Sequence, residues 1–374
     1  MKWQRKQALP PASILAVYSS SIQVKRQMSI SERGIRKKGE TMIEKSRKIE
    51  LLTPPIGKVR AILDTDAFNE VDDQFALAYA LNSPDKINLE AVYAAPFFNG
   101  KVANEKEGME KSYEEIQRII TMLNRTDDVK AIRGATEILK ETAELSGNEA
   151  ACDMVNRAKI SSDPLYIISI GALTNVATAI MLDPSILFNI VIVWLGGHPH
   201  YWPHTWEFNL KGDVRAAQVV FDSGAALIQI PCMGVASNLT TTEYELLHCL
   251  MGKSKIGSYL TELICAFSHE DSFYKEYNGI VDKYLRGTAD YDDNLMGKPV
   301  YSSDNYAYSK IIWDIAAVAY LINPTWVHTS LVDTPEITAD FQYKERTKKI
   351  PMRIGNYIKR DCVFGDLFHA LRDK

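Results

Sequence analysis

The chain has 374 residues, 46% hydrophobic and 24% charged, with a formal net charge of -4; this is an ordinary soluble globular composition, long enough for one large domain or two modest ones. The charge is unevenly placed: residues 1–49 hold 12 Lys and Arg against 3 Asp and Glu, a net of +9, and the remainder holds 31 against 44, a net of -13. An acidic body excludes nucleic acid as a bulk partner, no run approaches the ~20 apolar residues of a bilayer span, and five scattered cysteines without C-x-x-C spacing exclude a disulfide framework and fit a reducing, cytoplasmic home.

Residues 1–49 mix basic groups with Ser, Gln and Pro, show no sustained period, and read as a disordered basic extension. Lys2, Arg5 and Lys6 ahead of Ala8–Val17 have the order of a signal peptide, but Pro10 and Pro11 interrupt the apolar run. Residues 50–374 read as a single domain. Val59–Leu63 is a strand, Asp72–Leu81 has helical spacing, Ile87–Ala95 is a strand and Glu105–Leu123 a long amphipathic helix. Val129–Ile132 is a short strand, followed by helical patterns up to Ala158. Leu165–Ile170 and Ile190–Leu195 are apolar strands flanking a helix at Thr174–Leu182. Asp213–Asp222 is helical, Ala225–Ile230 a strand, Thr242–Phe267 mostly helical, Ile311–Leu321 helical and Trp326–Val332 a strand. Residues 270–310, rich in Tyr, Asp, Asn and Gly, read as a lid-like insertion. Continuous apolar strands alternating with helices predict an α/β, mainly parallel, doubly wound, Rossmann-like sheet with helices on both faces. Ligands bind such sheets beyond the carboxyl ends of the strands.

The first strand runs into D-T-D-A-F-N-E-V-D-D, which puts Asp64, Asp66, Glu70, Asp72 and Asp73 within ten residues. Two carboxylates ~4 Å apart repel by roughly 4 kcal/mol at an effective dielectric near 20. A helix N-terminus offsets about 0.3–1 kcal/mol per acid, enough for one capping Asp but not for the set. A hard divalent cation with all-oxygen ligands compensates better. The D-x-D of a haloacid-dehalogenase phosphatase is the rival pattern, but Ala67-Phe68-Asn69 lacks the Thr or Ser it needs after the second Asp.

Further segments follow later strands: G-A-L-T-N-V-A at 171–177, G-G-H-P-H-Y-W-P-H-T-W-E-F-N at 196–209, and an apolar helix, S-K-I-I-W-D-I-A-A-V-A-Y-L at 309–321, with Asp314 in its first turns. Thr174 or Asn175 is also a natural helix cap, Glu207 and Asn209 also suit a surface loop, and Trp313 also suits a core. His198, His200 and His204 raise a zinc reading, which the oxygen-rich loops around them disfavour.

Taken in order, these segments resemble the inosine–uridine preferring nucleoside hydrolase family, whose signature is D-T-D-P-G-x-D-D-A, over roughly residues 58–333. Here Ala67-Phe68 replaces Pro-Gly, and the loop between Asp66 and Asp72 is two residues longer. The resemblance implies the nucleoside hydrolase fold and Ca²⁺-dependent hydrolysis of the N-glycosidic bond of ribonucleosides to free base and ribose. It implies Asp66, Asp73, the carbonyl of Thr174 and Asp314 as calcium ligands, with Asp66 also the general base. Asp72, Glu207 and Asn209 would grip the ribose, with Asn99 and His198 as further sugar or leaving-group contacts. Trp313 stands where many members carry a leaving-group His; this is similar to the purine-preferring subgroup, with Phe97 or Phe98 as the other wall around the base. Homodimers or tetramers and nucleoside catabolism are also implied. Two alternatives stay open: a calcium-dependent nucleoside- or ribose-binding protein that has lost turnover, and a hydrolase of another ribosyl compound.

Overall fold

The protein is described by a computed structural model over residues 45–140, 147–268 and 309–372. Most of the basic extension and of the lid-like insertion, both expected above, lie outside the described residues. The described part is built from twelve strands: β1 (Val59–Thr65), β2 (Ile87–Ala94), β3 (Lys130–Arg133), β4 (Leu165–Ser169), β5 (Ile190–Leu195), β6 (Ala226–Ile230), β7 (Thr240–Thr242), β8 (Ser309–Ile311), β9 (Val327–Asp333), β10 (Glu336–Ile337), β11 (Tyr343–Lys344) and β12 (Pro351–Ile358). The helices are α1 (Lys45–Leu51), α2 (Asp73–Leu81), α3 (Glu105–Met122), α4 (Glu149–Ile160), α5 (Thr174–Leu182), α6 (Phe208–Gly212), α7 (Val214–Asp222), α8 (Glu243–Cys249), α9 (Lys255–Ser268), α10 (Ile315–Ile322) and α11 (Arg360–Leu371).

Eight strands form one sheet in the order β3-β2-β1-β4-β5-β6-β12-β9. Every neighbouring pair is parallel except β12 with β9 at the edge. The predicted doubly wound α/β sheet is therefore present. Its inner strands read as unbroken apolar runs because both faces are covered: β4 and β5 are buried at every residue. One core layer lies between the sheet and α2, α3 and α10, with Phe75, Ile116 and Val318 in it. The other joins the sheet to α4, α5 and α7 through Met154, Val176 and Phe221. Local signals start the helices as expected. Asn104 accepts from the Glu107 N–H at 3.0 Å to cap α3, and Asp213 accepts from the Ala216 N–H at 2.9 Å to cap α7.

Several elements differ from the sequence reading. Residues 45–49, placed in the extension by their charge, lie in α1, whose Leu51 packs into the core. The helical stretch after Thr242 is two helices, broken between Cys249 and Lys255. The helix expected from residue 309 begins only at Ile315, because Ser309–Ile311 pairs antiparallel with Thr240–Thr242 instead. β12 and α11 follow the last predicted strand. β12 carries Arg353 and Asn356 inside the sheet, which hides its period; Arg353 answers its charge with the Leu52 carbonyl and the Thr329 hydroxyl.

Candidate active site

From β1 the chain winds through β2 and β3 to one side of the sheet and through β4, β5 and β6 to the other. A crevice forms at such a switch point, beyond the carboxyl strand ends. Tyr93, Asp64, Ser169, Trp194 and Gln229 are register partners across five strands, so the loops after β1, β4, β5 and β6 leave the sheet at one level. A cavity of about 350 Å³ opens there. Asp66, Glu70, Asp72, Asp73 and Asp314 form its acid wall. His198, Trp206, Glu207, Phe208, Asn209 and Lys211 form a second wall, and Trp313 also lines the space.

The acid wall arises from two helix starts. Asp72 and Asp73 open α2, Asp314 precedes α10, and these two buried helices pack against each other. One carboxylate oxygen from each of Asp72, Asp73 and Asp314 lies within 4.8 Å of the others. Neither Asp72 nor Asp314 caps its helix with its side chain, so capping does not account for the cluster. Asp72 Oδ2 accepts from the Trp313 N–H at 3.1 Å, and Asp73 Oδ1 accepts from the Thr65 hydroxyl at 2.5 Å. By themselves these acids are poorly stabilised as anions. Burial, then Asp72, pushes Asp73 up to about 8. Burial pushes Asp72 to about 6 against the pull of Lys310. Asp314 and Asp66 are also raised, by burial first and then by their acidic neighbours.

A divalent cation fits this donor set: the oxygens are hard, buried and close enough to share one ion, and their mutual repulsion is what such an ion would remove. Asp66 stands beside the trio, within the electrostatic reach of Asp73 and Asp72. Its seat is Gly171: a Cβ there would fall 2.8 Å from Asp66 Oδ1. Asp64, counted with the cluster in the sequence, is turned away from it. Its carboxylate accepts from Asn175 Nδ2 at 2.7 Å, and burial pushes it to about 7.

Two expected site residues do not reach the cavity. Thr174 begins α5; its hydroxyl donates to Asp213 Oδ2 at 2.8 Å, and its carbonyl accepts from the Thr178 hydroxyl at 2.7 Å. Asn99 donates through Nδ2 to Asn69 Oδ1 at 2.9 Å, so it braces the acidic loop, and of these two amides Asn69 lines the cavity. Phe97 is buried and Phe98 is 55% exposed, and neither lines the cavity; Trp206 and Phe208 supply the aromatic wall instead.

The second wall closes on itself. The Glu207 carboxylate accepts backbone N–H groups from Gly197 at 2.8 Å, Asn209 at 2.9 Å and Leu210 at 3.1 Å. Asn209 donates both Nδ2 hydrogens, to the Ile170 and Leu195 carbonyls at 3.0 Å each, tying β4 to β5 and leaving Oδ1 for a ligand. His198 lines the cavity, and burial, then His204, pulls its imidazole down to about 4. His200 Nε2 lies 3.0 Å from Gln229 Oε1, away from the cavity lining, so the three histidines do not converge on a zinc site.

Sequence reasoning missed Lys310, which is 4% exposed and ion-paired with Glu70. It offered Asn175 only as a helix cap; instead Leu173 stands at the cap without a side-chain bond, and Asn175 Oδ1 accepts from the Ala135 N–H at 2.8 Å and from Asn148 Nδ2 at 2.9 Å while its Nδ2 holds Asp64. The signal for Gly171 and Asn175 lies in the G-A-L-T-N segment, which holds both beside Thr174. Lys310 gave none, because the residues after it read as one apolar helix.

Residues 61–355 match the profile of the inosine-uridine preferring nucleoside hydrolase family. The chain is 27% identical over 228 residues to a probable uridine nucleosidase 2 from Arabidopsis thaliana, covering 55% of this chain and 68% of that protein. It is 28% identical over 192 residues to the pyrimidine-specific ribonucleoside hydrolase RihA of Escherichia coli O1:K1, covering 45% of this chain and 58% of that one. Among solved structures it resembles the purine-preferring ribonucleoside hydrolase from Gardnerella vaginalis, with a TM-score of 0.59 and 20% identity over 83% of this chain and 98% of that chain. This last likeness is one of fold.

Proposed function

Because this chain belongs to the inosine–uridine preferring nucleoside hydrolase family, we propose that it hydrolyses ribonucleosides to free base and ribose with Ca²⁺ as its ion. The observation that carries this reading is the meeting, in one cavity, of four buried aspartates with an amide and aromatic wall. Asp72, Asp73 and Asp314 would hold the ion, with Asp66 beside them. The Thr174 carbonyl accepts from the Thr178 hydroxyl and keeps a second lone pair, so it stays a proposed further ligand. Bound there, the cation would lower the pKa of a water and orient the ribose hydroxyls.

Asp66 then takes the proton of the attacking water. The water oxygen bonds to C1′ as the C1′–N bond breaks, through an oxocarbenium-like state. Glu207, held in place by three N–H groups, sets its negative charge near the developing positive sugar, and Asn209 Oδ1 accepts from a hydroxyl. The base leaves from among Trp206, Phe208 and Trp313. His198 is neutral near pH 7, so the base takes its proton from solvent while stacked. The breadth of this aromatic lining supports a preference for purine nucleosides. The reading keeps the cytoplasmic home expected from the sequence and the homo-oligomer that the resemblance implies. No helix among the described residues is long and apolar enough to cross a membrane.

A nucleoside panel with reducing-sugar detection tests the reading. Ribose release should stop on chelation, return with Ca²⁺, and fall sharply for 2′-deoxynucleosides. Trp313→Ala should cost purine substrates several-fold more than pyrimidine ones, about 1 kcal/mol of stacking. Nucleoside binding by calorimetry with no ribose released over hours would replace the enzyme with a binding protein.

A further inference from the structure

The acid wall contains a cation of its own. Lys310 lies on β8, paired opposite Thr241, with a side chain only 4% exposed. Its ammonium is ion-paired with Glu70, and its charge reaches Asp72 and Asp314. Glu70 belongs to the loop between Asp66 and Asp72, which is two residues longer than the signature it resembles. The longer loop thus supplies the acid that seats the lysine, and the lysine sits where its positive charge opposes a second cation.

We propose that the Glu70–Lys310 pair sets the divalent-ion affinity of the site, Lys310 acting as a resident cation that weakens it. The inference rests on the metal reading above. Five carboxylates line this wall, and one ammonium offsets part of their field. Removing the ammonium leaves the full field to an incoming ion. Removing Glu70 instead turns Lys310 onto Asp72 and Asp314, where it competes with that ion directly. The two single changes therefore act in opposite directions, although they break the same ion pair. A purely structural pair would give both variants the same sign.

The test is calcium titration by calorimetry on the full chain, freed of metal by chelation, for the unaltered protein and four variants: Lys310→Met, Glu70→Gln, the double variant and Asp314→Asn. Lys310→Met should bind calcium at least about tenfold more tightly, Glu70→Gln at least about tenfold more weakly, and the double variant close to the unaltered protein. Circular dichroism checks folding. Should Lys310→Met not fold, the double variant compared with Glu70→Gln makes the same charge change and should bind at least about tenfold more tightly. The inference is overturned if removing Lys310 leaves affinity equal or lower in that comparison while Asp314→Asn abolishes binding, an outcome that keeps the metal site. Absence of calcium binding in the unaltered protein and in Asp314→Asn alike overturns the metal reading and the inference with it.

Discussion

The two walls of the cavity are built on opposite principles. In the wall from Gly197 to Asn209 the polar groups that matter are answered by the chain: Glu207 holds three N–H groups, Asn209 bridges two strand ends, and Thr205 links the His198 N–H at 3.1 Å to the Tyr343 hydroxyl at 2.7 Å. In the acid wall, Asp72 and Asp314 stand at helix starts without capping them, and Lys310 is the cation that faces the cluster. One wall is finished on folding, and on the proposed reading the other is finished by its ion. Buried carboxylates that repel one another cost stability even where each accepts a hydrogen bond, so the acid wall weighs against the metal-free fold and the second wall supports it.

That contrast is sharpest in a pair of substitutions. Asp66→Asn should lower kcat by about 10²–10⁴-fold, the usual worth of a positioned base. It should leave the metal-free protein as stable as before or more so, since it removes a buried charge that its neighbours repel. Glu207→Ala should do what Asp66→Asn does not: orphan three buried N–H groups and lose a helix cap, costing about 1–3 kcal/mol in urea unfolding. If Asp66→Asn destabilises the metal-free chain as much as Glu207→Ala does, the two walls are not different in kind.

Gly171→Ala probes the seam between them. The added methyl would meet Asp66 Oδ1 at 2.8 Å and Ala95 Cβ at 3.2 Å, and the carboxylate is the group that can move. A displaced base can cost on the order of 10²-fold in kcat, with a smaller change in KM and in unfolding midpoint. An unchanged kcat would mean that the place of Asp66 is not set by its seat on Gly171.

How much of this was legible in the chain follows from the same contrast. Acids crowded at a strand end announce themselves because their repulsion needs a remedy, and Asp66, Asp72, Asp73 and Asp314 line the cavity together. The apolar runs of β4 and β5 gave the parallel sheet because strands covered on both faces carry no alternation. What stayed hidden was set by tertiary partners. Lys310 is legible only once β8 pairs with β7; Asn99 and Asn69 exchange places because a side-chain hydrogen bond decides which amide faces inward. Thr174 had a motif behind it, but where its carbonyl points depends on where α5 begins. β12 was missed because Arg353 finds its partners on Leu52 and Thr329, far away in sequence.

The smallest expected effect separates the walls by pH. In the acid wall the folded pKa values of Asp72 and Asp73 lie above those of the unfolded chain. Their contribution to metal-free stability is present at low pH and lost as pH rises from about 4 to 8. His198 works the other way. Burial holds it at about 4, below the ordinary histidine value of about 6.5, so its contribution is present above pH 6.5 and lost as pH falls towards 4. The slope is at most one proton, about 1.4 kcal/mol per pH unit, within that window. Comparing His198→Asn with the unaltered protein by urea unfolding at pH 7.0, 5.5 and 4.5, about evenly through the window, isolates it: the variant should gain relative stability at each step downward. Calcium should flatten the acid wall's dependence and leave this difference in place, because the imidazole's burial is the work of the wall that needs no ligand.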